Sequence, residues 1–163
     1  MNDRIYRLGT RRSPLALAQA EEARDRLCAA HGWTADRVEI VPVTASGDKI
    51  QDRPLAEIGG KALWTKELDA WLLAGEIDFA VHSAKDVETL RLEALTIAAV
   101  LPREDVRDAF ISLKYRSVEE LPGGAVIGTS SLRRQAQIRN LRPDVTVVGF
   151  RGNVQTRLRK LEE

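Results

Sequence analysis

The sequence predicts an α/β fold on three observations. Short runs rich in Val, Ile and Leu alternate with longer stretches whose apolar residues recur at helical spacings. Polar and cationic residues gather just past the carboxyl ends of those short runs, where open α/β sheets bind ligands. The 163 residues, 44% hydrophobic and 30% charged, suffice for the core of one ordinary domain or two small ones.

The first strand is expected over residues 4–9, where Ile5, Tyr6 and Leu8 form a short extended pattern. Ser13 and Pro14 then open a helix, the serine as cap and the proline in the first turn. It runs to about Ala30, with Leu15, Ala16, Ala20, Ala23, Leu27 and Cys28 as its apolar side and His31-Gly32 closing it. Residues 38–44, rich in Val and Ile, make a second strand. Past Gly47-Asp48 and Gly59-Gly60-Lys61, residues 63–74 read as a second helix. Residues 77–81 then read as a short buried strand that delivers His82, Ser83, Lys85 and Asp86 beyond its end.

An apolar run at 95–101 ends in the polar break 102–105, read as a crossover between two lobes, 1–101 and 102–163. In the second lobe, 109–112, 125–128 and 145–150 read as strands, 131–141 as a helix stopped by Pro143, and 153–163 as a further helix. Helices in such a series return to further strands. The first lobe is therefore expected to lack its return strand, and the second to be represented by its first part.

Charge and composition narrow the function classes. The 25 Lys plus Arg and 24 Asp plus Glu nearly cancel, so a broad nucleic-acid-binding surface is not expected. The single cysteine, Cys28, excludes an internal disulfide and a multi-cysteine metal site, and fits a reducing compartment; no metal is expected. Neither a signal-peptide pattern nor a bilayer-length apolar run is present, so the expectation is a cytoplasmic protein without a membrane partner. Gly59-Gly60-Lys61 lacks the upstream glycine and following hydroxyl residue of a nucleotide-binding loop, because Ala62 follows.

Four constellations join strand ends to polar or cationic side chains: residues 10–14 with Arg11 and Ser13, residues 82–86, residues 128–134, and Arg151-Gly152-Asn153 with Arg157. Backbone amides and hydroxyls at a helix start attract anions, and the guanidinium fork matches a carboxylate or phosphate. Arg133 and Arg134 fall in a helix first turn, where the macrodipole disfavours cations, so an anionic partner would explain their placement. Taken singly, each feature has an ordinary structural explanation as a cap or a solvated charge. Their joint occurrence is the stronger signal. His82 reads as a packed residue, since the sequence supplies no nucleophile or metal mate for it. Cys28, Trp64 and Trp71 read as packing residues.

In the same order, Thr10 to Leu17, Gly59-Gly60-Lys61, His82 to Val87, Arg107-Asp108-Ala109-Phe110, Gly128 to Arg134 and Arg151-Gly152-Asn153 resemble the N-terminal half of the porphobilinogen deaminases, also called hydroxymethylbilane synthases. The resemblance covers nearly the whole chain. It implies periplasmic-binding-protein-like (type II) lobes with mixed sheets and an arginine-lined cleft, followed in the family by a third α+β domain that is absent from this sequence. It also implies a transferase that deaminates porphobilinogen and polymerises four units into hydroxymethylbilane in tetrapyrrole (haem) biosynthesis.

By this resemblance Asp86 is the catalytic carboxylate: it accepts pyrrole N–H groups, stabilises the cation left by loss of ammonia and assists proton transfer. Arg11, Ser13, Ser83, Lys85, Thr129, Ser130, Ser131, Arg133, Arg134, Arg151, Gly152 and Arg157 are the expected substrate- and cofactor-binding set. The implied cofactor is a dipyrromethane held covalently on a cysteine of the third domain, not on Cys28. The implied partners are porphobilinogen and the growing oligopyrrole, bound by a monomer. The sequence departs from the family at Glu88, which precedes Thr89 where a proline is common. A chain of this extent is expected not to turn over alone. Two competing readings are a binding module for a carboxylated small molecule, without catalysis, and a truncated product that cannot close its sheet.

Overall fold

A computed structural model of the chain describes residues 4–44 and 65–163, which fall in two compact units, Met1–Pro102 and Arg103–Glu163. In the first unit, strand β1 (Tyr6–Arg11) is followed by helix α1 (Pro14–His31), strand β2 (Val38–Val43), helix α2 (Lys66–Leu73) and strand β3 (Phe79–Ala80). A single 3₁₀ turn, Ala84–Asp86, follows β3. The strands form a parallel sheet in the order β2-β1-β3, with Tyr6 opposite Val38, Arg11 opposite Val43 and Leu8 opposite Phe79.

Strand residues alternate between sheet faces, and each face has its own helix. Leu8 and Val38 pack with Ala20 and Cys28 of α1. Val43 packs on the other face with Ile77 and with Leu68 of α2, joined by Trp71. Gly9 lies on this second face, where a β-carbon would come within 2.7 Å of Leu68 Cδ2 and closer still to Ile77. Both neighbours are buried and have little room to yield. Gly9→Ala is therefore expected to destabilise the unit by about 1–3 kcal/mol, measured by urea unfolding.

Helix α1 begins and ends as the sequence expects. Ser13 Oγ accepts the Ala16 amide at 3.3 Å, and Gly32, at φ 65°, closes the helix in the left-handed region. The Cys28 thiol is buried in the core and contacts the Thr34 carbonyl at 3.6 Å, a packing role. The strand expected over 77–81 is shorter, but its ladder extends beyond it through Asp78 N to Arg7 O at 2.9 Å and Val81 N to Gly9 O at 3.0 Å. The helix expected over 63–74 is seen from Lys66, and Gly47-Asp48, Gly59-Gly60-Lys61 and Trp64 lie outside the described residues.

The second unit contains strand β4 (Val126–Gly128), helix α3 (Leu132–Leu141), strand β5 (Thr146–Val148) and helix α4 (Val154–Glu162), with β4 and β5 parallel. Its core is Leu121, Ile127 and Val145, against which Phe110, Tyr115 and Ile138 pack. The strand expected over 109–112 does not form. There Phe110 packs into the core, and Ser112 Oγ accepts the amides of Lys114 and Tyr115 at 3.2 and 3.1 Å, turning the chain before a ladder can extend. The run at 95–101 also forms no element, and Ile97 and Val100 are exposed. Among the described residues every strand pairing is parallel, and the antiparallel strand of a mixed sheet is not among them. No described helix is long and apolar enough to cross a membrane.

Candidate functional site

Parallel strands deliver their carboxyl ends to one edge of a sheet, so residues distant in sequence meet there. In the first unit Arg11 ends β1 and Asp86 lies in the turn after β3. Arg11 Nη1 stands 3.7 Å from Asp86 Oδ2, with both side chains about a quarter exposed or less (20% and 27%). Ser83 Oγ donates to Gln19 Oε1 of α1 at 3.0 Å, tying the turn that carries Asp86 to the helix that follows Arg11. Lys85 is exposed in the same turn, and the ion pair seen for Asp86 is the one with Arg11 at the end of β1 rather than one with its sequence neighbour. Ser13 caps α1 at the same edge.

His82 is partly buried, and burial pushes its imidazole below the ordinary value of 6.5, against the opposing pull of Asp69. Its Nε2 is buried without a hydrogen-bond partner among the described residues. That fits a packed histidine. Beside it lies a pair that the sequence did not indicate: Arg91 Nη1 and Nη2 donate to Asp69 Oδ2 and Oδ1 at 3.0 and 2.7 Å. Asp69 is 6% exposed. This guanidinium fork pins the segment after the Asp86 turn onto α2.

In the second unit, the turn after β4 holds three hydroxyls in succession. Thr129 Oγ1 accepts the Ser131 amide at 3.2 Å, and Ser131 Oγ accepts the Arg134 amide at 3.4 Å as the cap of α3. Ser130 Oγ is buried and without a partner among the described residues. Gly128 admits Phe150, whose Cγ would lie 2.7 Å from an added β-carbon. After β5, Arg151 and Gly152 lead into α4, capped by Asn153 Oδ1 accepting the Thr156 amide at 2.8 Å. Gly152 has φ 128°, a conformation that favours glycine. Arg157 Nε donates to Gly152 O at 2.8 Å. Burial, followed by the positive charge of Arg134, lowers the Arg157 guanidinium from its ordinary value.

The anion that the placement of Arg133 and Arg134 calls for is present within the unit itself, as Asp108. Arg133 donates to both carboxylate oxygens, Nη1 to Oδ2 at 2.8 Å and Nη2 to Oδ1 at 2.9 Å. Arg134 reaches Oδ1 through Nε at 3.0 Å and Nη2 at 2.9 Å. These bonds, Arg133 first, hold the Asp108 carboxyl far below its ordinary value of 3.8. A folded-state value depressed in this way makes the cluster's contribution complete above that ordinary value and lost as pH falls below it. A carboxyl-carbon NMR titration is expected to show Asp108 still ionised near about pH 3, where ordinary aspartates are largely protonated. Asp108 stands 25 residues before Arg133, and no spacing pattern joins them; the motif that contained it assigned it no role.

The comparisons bear on the whole chain. Residues 6–163 match the family model described as "Porphobilinogen deaminase, dipyromethane cofactor binding domain". A porphobilinogen deaminase of Paracoccus denitrificans is 60% identical over 157 residues, covering 96% of this chain and 50% of that protein. One from Nitrobacter hamburgensis is 58% identical over 159 residues, covering 98% of this chain and 50% of the relative. A chloroplastic porphobilinogen deaminase of Oryza sativa is 60% identical over 161 residues, covering 98% and 45%. The chain thus spans about half the length of these relatives. With parallel α/β units, hydroxyls and guanidinium groups at the strand ends and a family match over nearly its full length, the chain belongs to the porphobilinogen deaminase family.

Proposed function

We propose that this chain supplies the catalytic carboxylate and the carboxylate-gripping arginines of a transferase that deaminates porphobilinogen and joins four units into hydroxymethylbilane, for haem and other tetrapyrroles. The observation that carries the reading is the placement of Asp86 beside Arg11 at one sheet edge, in a chain of this family. When the aminomethyl C–N bond breaks and ammonia leaves, the substrate becomes a cation. The free α-carbon of the preceding pyrrole then forms the new C–C bond and loses its proton. A fixed carboxylate serves both moments: it stabilises the cation and it receives or relays the proton. At 3.7 Å the Arg11 contact is longer than a hydrogen bond, which leaves Asp86 oxygen lone pairs for pyrrole N–H donors.

Porphobilinogen carries an acetate and a propionate, and a growing chain accumulates both. Arg11, Arg133, Arg134, Arg151 and Arg157, with Ser13, Ser83, Lys85, Thr129, Ser130, Ser131 and the backbone at Gly152, form the proposed binding set. The same donors suit a dipyrromethane cofactor, itself a carboxylated pyrrole pair: the buried Ser130 hydroxyl still wants an acceptor, and Arg134 is 43% exposed. When bound, that group supplies a covalently anchored pyrrole end onto which substrate units are added. Cys28, buried in the core of the first unit, does not fit as its anchor. The two units are proposed as the first two periplasmic-binding-protein-like (type II) lobes of a cytoplasmic monomer, whose third α+β domain would carry the anchoring cysteine.

Intact mass spectrometry of the complete gene product, together with its consumption of porphobilinogen, tests this reading. A covalent two-pyrrole adduct with turnover is expected. A protein that binds a carboxylated pyrrole but carries no adduct and consumes no porphobilinogen would be a binding module instead.

A further inference from the structure

We propose that Asp108 is a positioning residue that holds Arg134 by one edge of its guanidinium and leaves the other edge to a ligand carboxylate; this rests on the reading of Arg133 and Arg134 as carboxylate-binding. The geometry separates the two edges. Asp108 Oδ1 takes Arg134 Nε and Nη2, the side edge of that fork. The second Nη2 hydrogen and one Nη1 hydrogen form its end edge, which can take a second carboxylate in a bidentate manner. Arg133 is used differently. Its Nη1 and Nη2 both go to Asp108, and Nη1 also donates to Gln137 Oε1 at 2.9 Å, so most of its end edge is already engaged. The two neighbouring arginines thus meet Asp108 by different edges, Arg133 by its end and Arg134 by its side, and it is Arg134 whose end edge stays open to a ligand carboxylate.

Two effects of Asp108 on an incoming carboxylate oppose each other. Its negative charge repels the ligand, and its hydrogen bonds keep two long, mutually repelling cations in one arrangement before the ligand arrives. The cluster is open to water: side-chain exposure is 34% for Asp108, 58% for Arg133 and 43% for Arg134. Water and salt screen the repulsion strongly at such a site. The rotamer freedom of two arginines is not screened, and it must be lost on binding if it has not been lost beforehand. Ordering therefore outweighs repulsion. Removing the Asp108 charge weakens carboxylate binding, the opposite of what net charge alone would give.

The test uses the complete gene product and, as probe, a pyrrole bearing acetate and propionate side chains but no aminomethyl group, so that no reaction follows binding. Calorimetric titration at fixed ionic strength compares wild type, Asp108→Asn, Asp108→Glu and Arg134→Gln. The expected result is a loss of about 3- to 10-fold in affinity for Asp108→Asn, recovery of most of it by Asp108→Glu, and a loss of at least about 10-fold for Arg134→Gln. Unchanged or tighter binding by Asp108→Asn alongside weakened Arg134→Gln overturns the proposal and leaves the carboxylate-binding reading standing. Unchanged binding by Arg134→Gln overturns that reading itself. Thermal unfolding of each variant guards against misfolding, and a failure of Asp108→Glu to recover affinity in a folded protein also counts against positioning.

Discussion

Replacing Asp86 with Asn in the complete gene product will cost at least about 100-fold in porphobilinogen turnover while leaving pyrrole binding within a few fold of wild type. The substitution keeps the shape of the side chain and one acceptor oxygen, so the ground-state contact with a pyrrole N–H persists. What disappears is the full negative charge opposite a cation that exists only as ammonia leaves, and with it a proton acceptor of useful basicity. Such differential stabilisation lowers kcat more than it raises KM. The fold should tolerate the change, since the Arg11 contact is 3.7 Å and both groups are partly hydrated; a pair of that kind contributes at most about 1 kcal/mol. Steady-state kinetics with calorimetric binding decides the matter. Turnover near the wild-type rate would remove Asp86 from the chemistry.

The largest expected loss of stability comes from a pair outside that chemistry. Arg91→Met will destabilise the first unit by about 2–3 kcal/mol in urea unfolding, because it leaves the Asp69 carboxylate buried without its two charge-assisted bonds. The figure sits below that of a fully enclosed pair because the Arg91 side chain is 17% exposed, so water can reach part of the gap. Adding Asp69→Leu should recover much of the loss, since a dry apolar pair no longer buries a charge. The same change reaches His82, whose imidazole is held down by burial and also by the Arg91 cation. With a folded value below 6.5, His82 costs no stability above that pH, and stability declines as pH falls below it, where the unfolded chain binds the proton more readily. Removing Arg91 is expected to move the His82 NMR titration upward and to shrink that decline.

The alternation of strands and helices was legible in the sequence because it rests on local chemistry. Ser13-Pro14 and Gly32 mark the ends of α1 through hydrogen bonds and backbone angles spanning a few residues, and both ends fall where expected. The run at 109–112 misled because β-branched and aromatic character marks a residue that wants burial, and Phe110 obtains it by packing into a core rather than by joining a ladder. The site was legible in part. The guanidinium and hydroxyl groups at the strand ends were recognisable from their types and positions, and their family resemblance named them together. The partners that orient them were not. Asp108 lies 25 residues from Arg133, and Arg91 lies 22 from Asp69, separations at which only the folded chain decides who meets whom.

The two capping serines lead to a constraint on how this sequence can vary. Ser13 and Ser131 each spend an acceptor lone pair on starting a helix, at the Ala16 and Arg134 amides. Each still has a hydroxyl hydrogen to give. If that hydrogen goes to a ligand oxygen, one atom answers to two separate demands. Threonine meets both. Aspartate would preserve the helix start but confront an incoming carboxylate with like charge, and alanine would forfeit both tasks. Neither position can then drift toward better anchoring or better recognition independently, so inheritance sees a single narrow tolerance where physics has two.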